Sequence, residues 1–254
     1  MTTFNGMIPT LSILSDLPGN IRQNLEIFTA SAREACGPDL VSMVLFGSAA
    51  EGRLRASSDV NLILVLKQFV PGRIDALRES LRLAHAAVQL EAMFLLESEI
   101  PAAVEAFAVK FADIHDRHRV LYGPDPFARL EISRDVTLRR LRQVLVNLTL
   151  RLRERYALVS LREERLVPVI ADCAGPIHAA ASTILRLEGK ANVPPKEALL
   201  ELAGRLRAGT WDQVLKSMSA AREELELPPG EPGATLLGLL DLLQALQVHV
   251  NGMK

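Results

Sequence analysis

Two short apolar runs joined by a polar, glycine-containing segment, between Leu40 and Leu66, constrain this chain's fold more than any other stretch. Leu40–Phe46 is rich in Val and Leu and predicts a buried strand, which Gly47-Ser48 brings to an end. Residues 59–66 predict a second strand, entered through Ser58-Asp59-Val60-Asn61. Asp59 and Asn61 stand two apart, so on an extended chain their side chains leave the same face. A glycine after a buried strand lets backbone N–H groups approach an anion, and the Ser48 hydroxyl adds a donor. The residues that follow can open a helical turn, whose first N–H groups favour phosphate. Oxygen ligands on such a strand suit Mg2+, with phosphate oxygens completing its shell. A further carboxylate is expected from a neighbouring strand. Glu91, within a third predicted strand over residues 88–96, is the best placed, whereas Glu97 and Glu99 fall past that strand's end.

Helical periodicity surrounds these strands. It predicts helices over residues 20–36, 71–87 and 101–118, with a short strand over 119–122 before Gly123-Pro124-Asp125-Pro126. Beyond Phe127 no strand pattern recurs. A long leucine stripe runs from Leu138 to Tyr156, followed by helical patterns over 160–189, from Pro195, over 211–225 and over 234–250. The fold class is therefore read as α+β with a short mixed sheet, followed by an all-α helical bundle. The domains are read as residues 1–130 and 131–254.

Composition narrows the function. One Trp and two Tyr leave little material for stacking single-stranded bases, and a net charge of -1 gives no global attraction for nucleic acid or anionic lipid. Two cysteines without metal-ligand spacing point to buried thiols. The N-terminal residues lack the pattern of a secretory signal, and 234–250 reads as too short and too interrupted to span a bilayer. The expectation is a cytoplasmic protein with no membrane partner.

The order of strand, Gly47-Ser48, Gly52 and Ser58-Asp59-x-Asn61 resembles the polymerase-beta-type nucleotidyltransferase superfamily, in its small bacterial and antibiotic-modifying branch. Residues 121–127 resemble the segment that often closes such domains. The stretch from Leu187 to Leu202, with Gly189-Lys190 and Pro194-Pro195-Lys196-Glu197-Ala198, is similar to the helical domains that follow them. The resemblance implies Mg2+-dependent transfer of a nucleoside monophosphate from an NTP onto a hydroxyl of a small-molecule, protein or RNA acceptor. It assigns Gly47, Ser48, Arg53 and Ser58 to the nucleotide, and Asp59, Asn61 and Glu91 to the metal and the chemistry.

Two residues depart from the family pattern. Asn61 stands where the family has its second acid; an amide oxygen is neutral and is ill suited to bridging two cations. Glu51 stands where a basic residue near the triphosphate is common, and would repel phosphate unless it points away or pairs with Arg53 or Arg55. These departures support a second reading, a catalytically impaired nucleotide-binding or regulatory protein of the same fold. A third reading is an interaction protein joined as a homodimer through the last helix. His115, Asp116 and His118 lack a second pair of metal ligands. The arginine-rich span from Arg134 to Arg165 reads as a solvated helix face. Asp172, Glu163 and Glu164 are the acids open to a cationic acceptor.

Overall fold

The computed structural model describes residues 14–54, 58–190, 193–206 and 211–253. Arg55 and the start of the chain, on which two of the expectations above rest, lie outside them. The chain divides into two compact units, Met1–Val104 with Ile114–Glu131, and Glu105–Asp113 with Ile132–Lys254.

In the first unit, helix α1 (Gly19–Cys36) leads into β1 (Leu40–Phe46), and β2 (Val60–Leu66) returns antiparallel to it. Helix α2 (Pro71–Val88) then crosses to β3 (Leu90–Leu96), which runs parallel to β2. Such a parallel connection requires a crossover, and α2 supplies it. After α3 (Ile100–Ala106) and α4 (Ala108–Asp116), β4 (His118–Tyr122) pairs antiparallel with the other edge of β1. The sheet is 4-stranded and mixed, in the order β3-β2-β1-β4.

Alternation along the strands sorts their residues onto two faces. Met43, Leu45, Leu62 and Leu64 pack with Leu25, Phe28 and Ala32 of α1 and Leu77 and Ala84 of α2. Val44, Ile63 and Val65 point to the other face and are also buried. That second face ends in Phe46, Asn61 and Glu91, where the strands start or stop.

Two boundaries differ from the periodicity. The helix expected over 101–118 is two helices broken at Phe107. The strand expected over 119–122 starts one residue earlier, so that His118 becomes a strand residue. Gly123, immediately after it, is required by packing and by backbone: its φ is +77, and an added Cβ would lie 2.0 Å from the carbonyl oxygen of Val41.

Among the described residues the regular elements of the second unit are all helices. They include α5 (Arg134–Val159), α6 (Leu166–Leu187), α7 (Pro195–Arg205), α8 (Asp212–Glu224) and α9 (Glu231–Asn251). The expected helix over 160–189 starts with a separate 3-10 turn, Glu163–Arg165. Helix α6 is central: α5, α7, α8 and α9 all pack on it, which explains why it is apolar around most of its circumference. Helix α9 is longer than expected, because Pro232 fits in its first turn. Glu163–Leu187 and Glu231–Asn251 reach the length and apolarity of a membrane span. Both belong to the core of the helical unit, which accounts for that apolarity.

The leucine stripe of α9 is used inside the unit. Leu236, Leu239, Leu242, Leu243 and Leu246 are fully buried there, leaving Leu237 and Val248 exposed. Part of the arginine-rich span is likewise structural. Arg134 donates to the carbonyl of Leu187, Arg140 to that of Glu105, and Arg142 to those of Val250 and Met253. These contacts satisfy carbonyls at chain ends and helix ends.

Candidate nucleotide and metal site

The candidate site is built where β1 ends and β2, β3 and β4 begin. Gly47 leaves the strand with φ +74, a conformation that favours glycine, and opens the 3-10 turn Gly47–Ala49. An added Cβ at Gly47 would meet nothing within 4 Å. The glycine is therefore needed for its backbone angle, while the space above it remains open to a ligand. The amide of Ala50 donates to the Gly47 carbonyl at 3.1 Å and that of Arg53 to the Ser48 carbonyl at 3.0 Å, folding the following loop back on the turn. The turn packs against the start of β2.

Asp59 is exposed immediately before β2, and Asn61 is the second residue of that strand. Asn61 pairs in register with Glu91 on one side and with Phe46 on the other, and Phe46 pairs with His118. Glu91, Asn61, Phe46 and His118 thus form one row across the sheet, with side chains on the same face. The Asn61 Nδ2 donates to the backbone carbonyl of Asp59 at 3.3 Å, which leaves Oδ1 as its ligating end. Glu91 reaches the site beside His85, the last basic residue of α2, whose Nδ1 lies 3.4 Å from Glu91 Oε1 and 3.1 Å from the Leu90 carbonyl. Gln89 sets up this approach by taking a left-handed conformation, φ 52, at the end of α2.

The donor set offers two carboxylates and one amide oxygen. Among the described residues no three His, Cys, Asp or Glu side chains group as a metal cage. The set fits a hard cation such as Mg2+ held by one or two carboxylates, with substrate phosphates and water supplying the remaining oxygens.

Among the described residues Glu51 pairs with Arg117 and not with Arg53. Arg117, just before β4, donates from Nη1 to Glu51 Oε2 at 2.7 Å, and so answers the charge that sequence alone left unmatched. Two residues further, Arg119 grips both oxygens of Asp16 at 2.5 and 2.6 Å. Hydrogen bonds from Arg119 hold the Asp16 carboxyl below its usual range. Gly52 (φ +68) lies against this pair, since an added Cβ would come within 2.6 Å of Asp16 Oδ2. Arg53 is exposed and Ser58 is partly exposed.

The other candidates are already engaged. His118 is held at Nδ1 by the carbonyls of Ile114 and His115 and at Nε2 by Asp125, and its ring meets Phe127 edge-on. His115 lies 3.4 Å from Asp116. Glu163 accepts from the Gly230 amide at 2.7 Å, tying down the start of α9.

No family model and no curated protein matches this sequence. Among solved structures the chain is similar to the spectinomycin adenyltransferase AAD(9) from Enterococcus faecialis, determined with ATP and spectinomycin. The TM-score is 0.60 at 14% sequence identity, over 87% of this chain and 98% of that one. The likeness at this identity is one of fold. The chain has the fold of that adenyltransferase, here an α+β unit with a mixed sheet together with a helical unit.

Proposed function

We propose that this protein binds an NTP with Mg2+ and transfers its nucleoside monophosphate to a hydroxyl of a small-molecule acceptor. The observation that carries this reading is the register of Asn61 with Glu91, beside Asp59 and the Gly47-Ser48 turn. Oxygen ligands from two adjacent strands thereby face the place where a strand ends in a glycine turn. The adenyltransferase of the same fold, seen with ATP and an antibiotic, supports a nucleotide donor and a small acceptor.

In the proposed reaction the acceptor oxygen attacks the α-phosphorus, the bond to pyrophosphate breaks, and pyrophosphate leaves with its electron pair. The cation neutralises charge on the phosphate oxygens when bound. Gly47 and Ser48 present backbone and hydroxyl donors to the triphosphate, and Ser58 and Arg53 flank it. Asp59 holds the cation, with Asn61 Oδ1 as a neutral second ligand. Glu91, at the sheet edge, serves the acceptor side, where it assists the cation and can take the hydroxyl proton.

Asn61 favours one second reading, a nucleotide-binding protein with impaired catalysis. Incubation with Mg2+, each labelled NTP and a panel of aminocyclitol, sugar, protein and RNA acceptors separates the two. The first reading expects a labelled small molecule and released pyrophosphate, both lost in Asp59→Ala. Transfer only by Asn61→Asp supports the second. Neither binding nor transfer by either protein contradicts both.

A further inference from the structure

We propose that Arg117 is a triphosphate-binding residue that Glu51 occupies until a nucleotide displaces it, an inference that rests on the nucleotide reading above. The antiparallel pair of β1 and β4 ends at Phe46 opposite His118. Gly47 follows the one and Arg117 precedes the other, so Arg117 stands at the glycine turn. Its guanidinium is turned to Glu51, in the loop that the Ala50 and Arg53 amides fold back on that turn. The two side chains are only 20% and 22% exposed, so their charges interact more strongly than those of an open surface pair.

In this proposal an anion bound at the Gly47 turn competes with the Glu51 carboxylate for the Arg117 guanidinium. The guanidinium fork suits phosphate oxygens as well as carboxylate oxygens. A triphosphate brings more charge than one carboxylate and competes for the same fork. The Arg117 backbone is fixed by its amide, which donates to the Ile114 carbonyl at 3.1 Å, so the side chain can turn without moving the strand. Meanwhile the Arg119 fork on Asp16, with Gly52 packed against it, holds the far side of the loop. One arginine clamps the loop and the other exchanges partners. Glu51, a residue out of place for a phosphate site, thereby acquires a role: it keeps Arg117 at the turn in the absence of nucleotide.

Calorimetric titration of ATP with Mg2+, and of AMP, into the native protein, Glu51→Gln and Arg117→Gln tests the exchange. Glu51→Gln is expected to bind ATP about 3–10-fold more tightly, because one competing carboxylate is removed. Arg117→Gln is expected to bind ATP about 10-fold or more weakly, the scale of one charge-assisted hydrogen bond. AMP, which lacks the β- and γ-phosphates, is expected to change little with either. Weaker ATP binding in Glu51→Gln overturns the exchange and makes the pair a fixed clamp. Equal ATP binding by all three proteins also overturns it, while leaving the nucleotide reading intact. Absence of ATP binding in both native protein and Glu51→Gln overturns both. Should Arg117→Gln fail to fold, Glu51→Gln alone decides the outcome.

Discussion

Asn61 and Glu91 stand directly side by side across the parallel pair of β2 and β3. An Asp at position 61 would put two carboxylates next to each other on one sheet face, and like charges so placed repel. The amide leaves this pair with the charge of Glu91 alone. Asn61→Asp is therefore expected to lower the stability of the metal-free protein by about 0.5–1 kcal/mol, and excess Mg2+ to reverse the loss. Thermal melting of the variant with and without Mg2+ checks this. A melting point that ignores Mg2+ would mean that residues 59, 61 and 91 do not share a cation.

Glu91 reaches that row because the chain reverses at Gln89, whose φ of 52 is costly for any residue with a Cβ. The same residue's carbonyl accepts from the Val60 amide at 3.1 Å, joining the starts of β2 and β3. Gln89→Gly keeps that bond and removes the strain. Urea denaturation is expected to show a gain of roughly 0.5–1 kcal/mol, after the larger chain entropy of glycine is subtracted.

Gly123 offers the opposite case. Its φ of +77 and the Val41 carbonyl 2.0 Å from a built Cβ leave no space that a rotamer change could open. Gly123→Ala is expected to lose about 3 kcal/mol or more, since backbone strain and a backbone clash add. A loss under about 1 kcal/mol in the same denaturation experiment would contradict the packing of β4 against β1.

Both cysteines are buried. Burial pushes the Cys173 thiol up to about 12, with Asp172 adding to the effect, and burial raises Cys36 as well. Neither is expected to react with a thiol reagent in the native protein at pH 8, and both to react in urea. The sign for stability follows. A thiol held neutral in the folded state contributes fully below its ordinary value of 9.0, and that contribution is lost as pH rises from there towards about 12. Stability that stays flat over that range in native protein, and equally in Cys173→Ala, would contradict this.

Legibility in the sequence followed distance along the chain. Gly47, Ser48, Asp59 and Asn61 are near neighbours in sequence, and strand alternation alone sets which of them share a face. Glu91 could be named because the alternation of strands and helices calls for a third strand, although its register with Asn61 needed the structure. The partner of Glu51 was out of reach, because Arg117 lies 66 residues away and no periodicity links them. The Asp16–Arg119 fork, 103 residues apart, was hidden for the same reason. The break at Phe107 was also unreadable, because the residues on both sides of it keep a helical period.

The most direct test of the account is equilibrium binding of ATP as a function of Mg2+, by calorimetry on native protein and on Asp59→Ala. If Asp59 holds a cation against the triphosphate at the Gly47-Ser48 turn, Mg2+ tightens ATP binding to the native protein. Asp59→Ala then loses at least the ~10–100-fold that even an indirect partner of a metal is worth, while keeping its fold by circular dichroism. ATP affinity that is independent of Mg2+, or unchanged in Asp59→Ala, would contradict it.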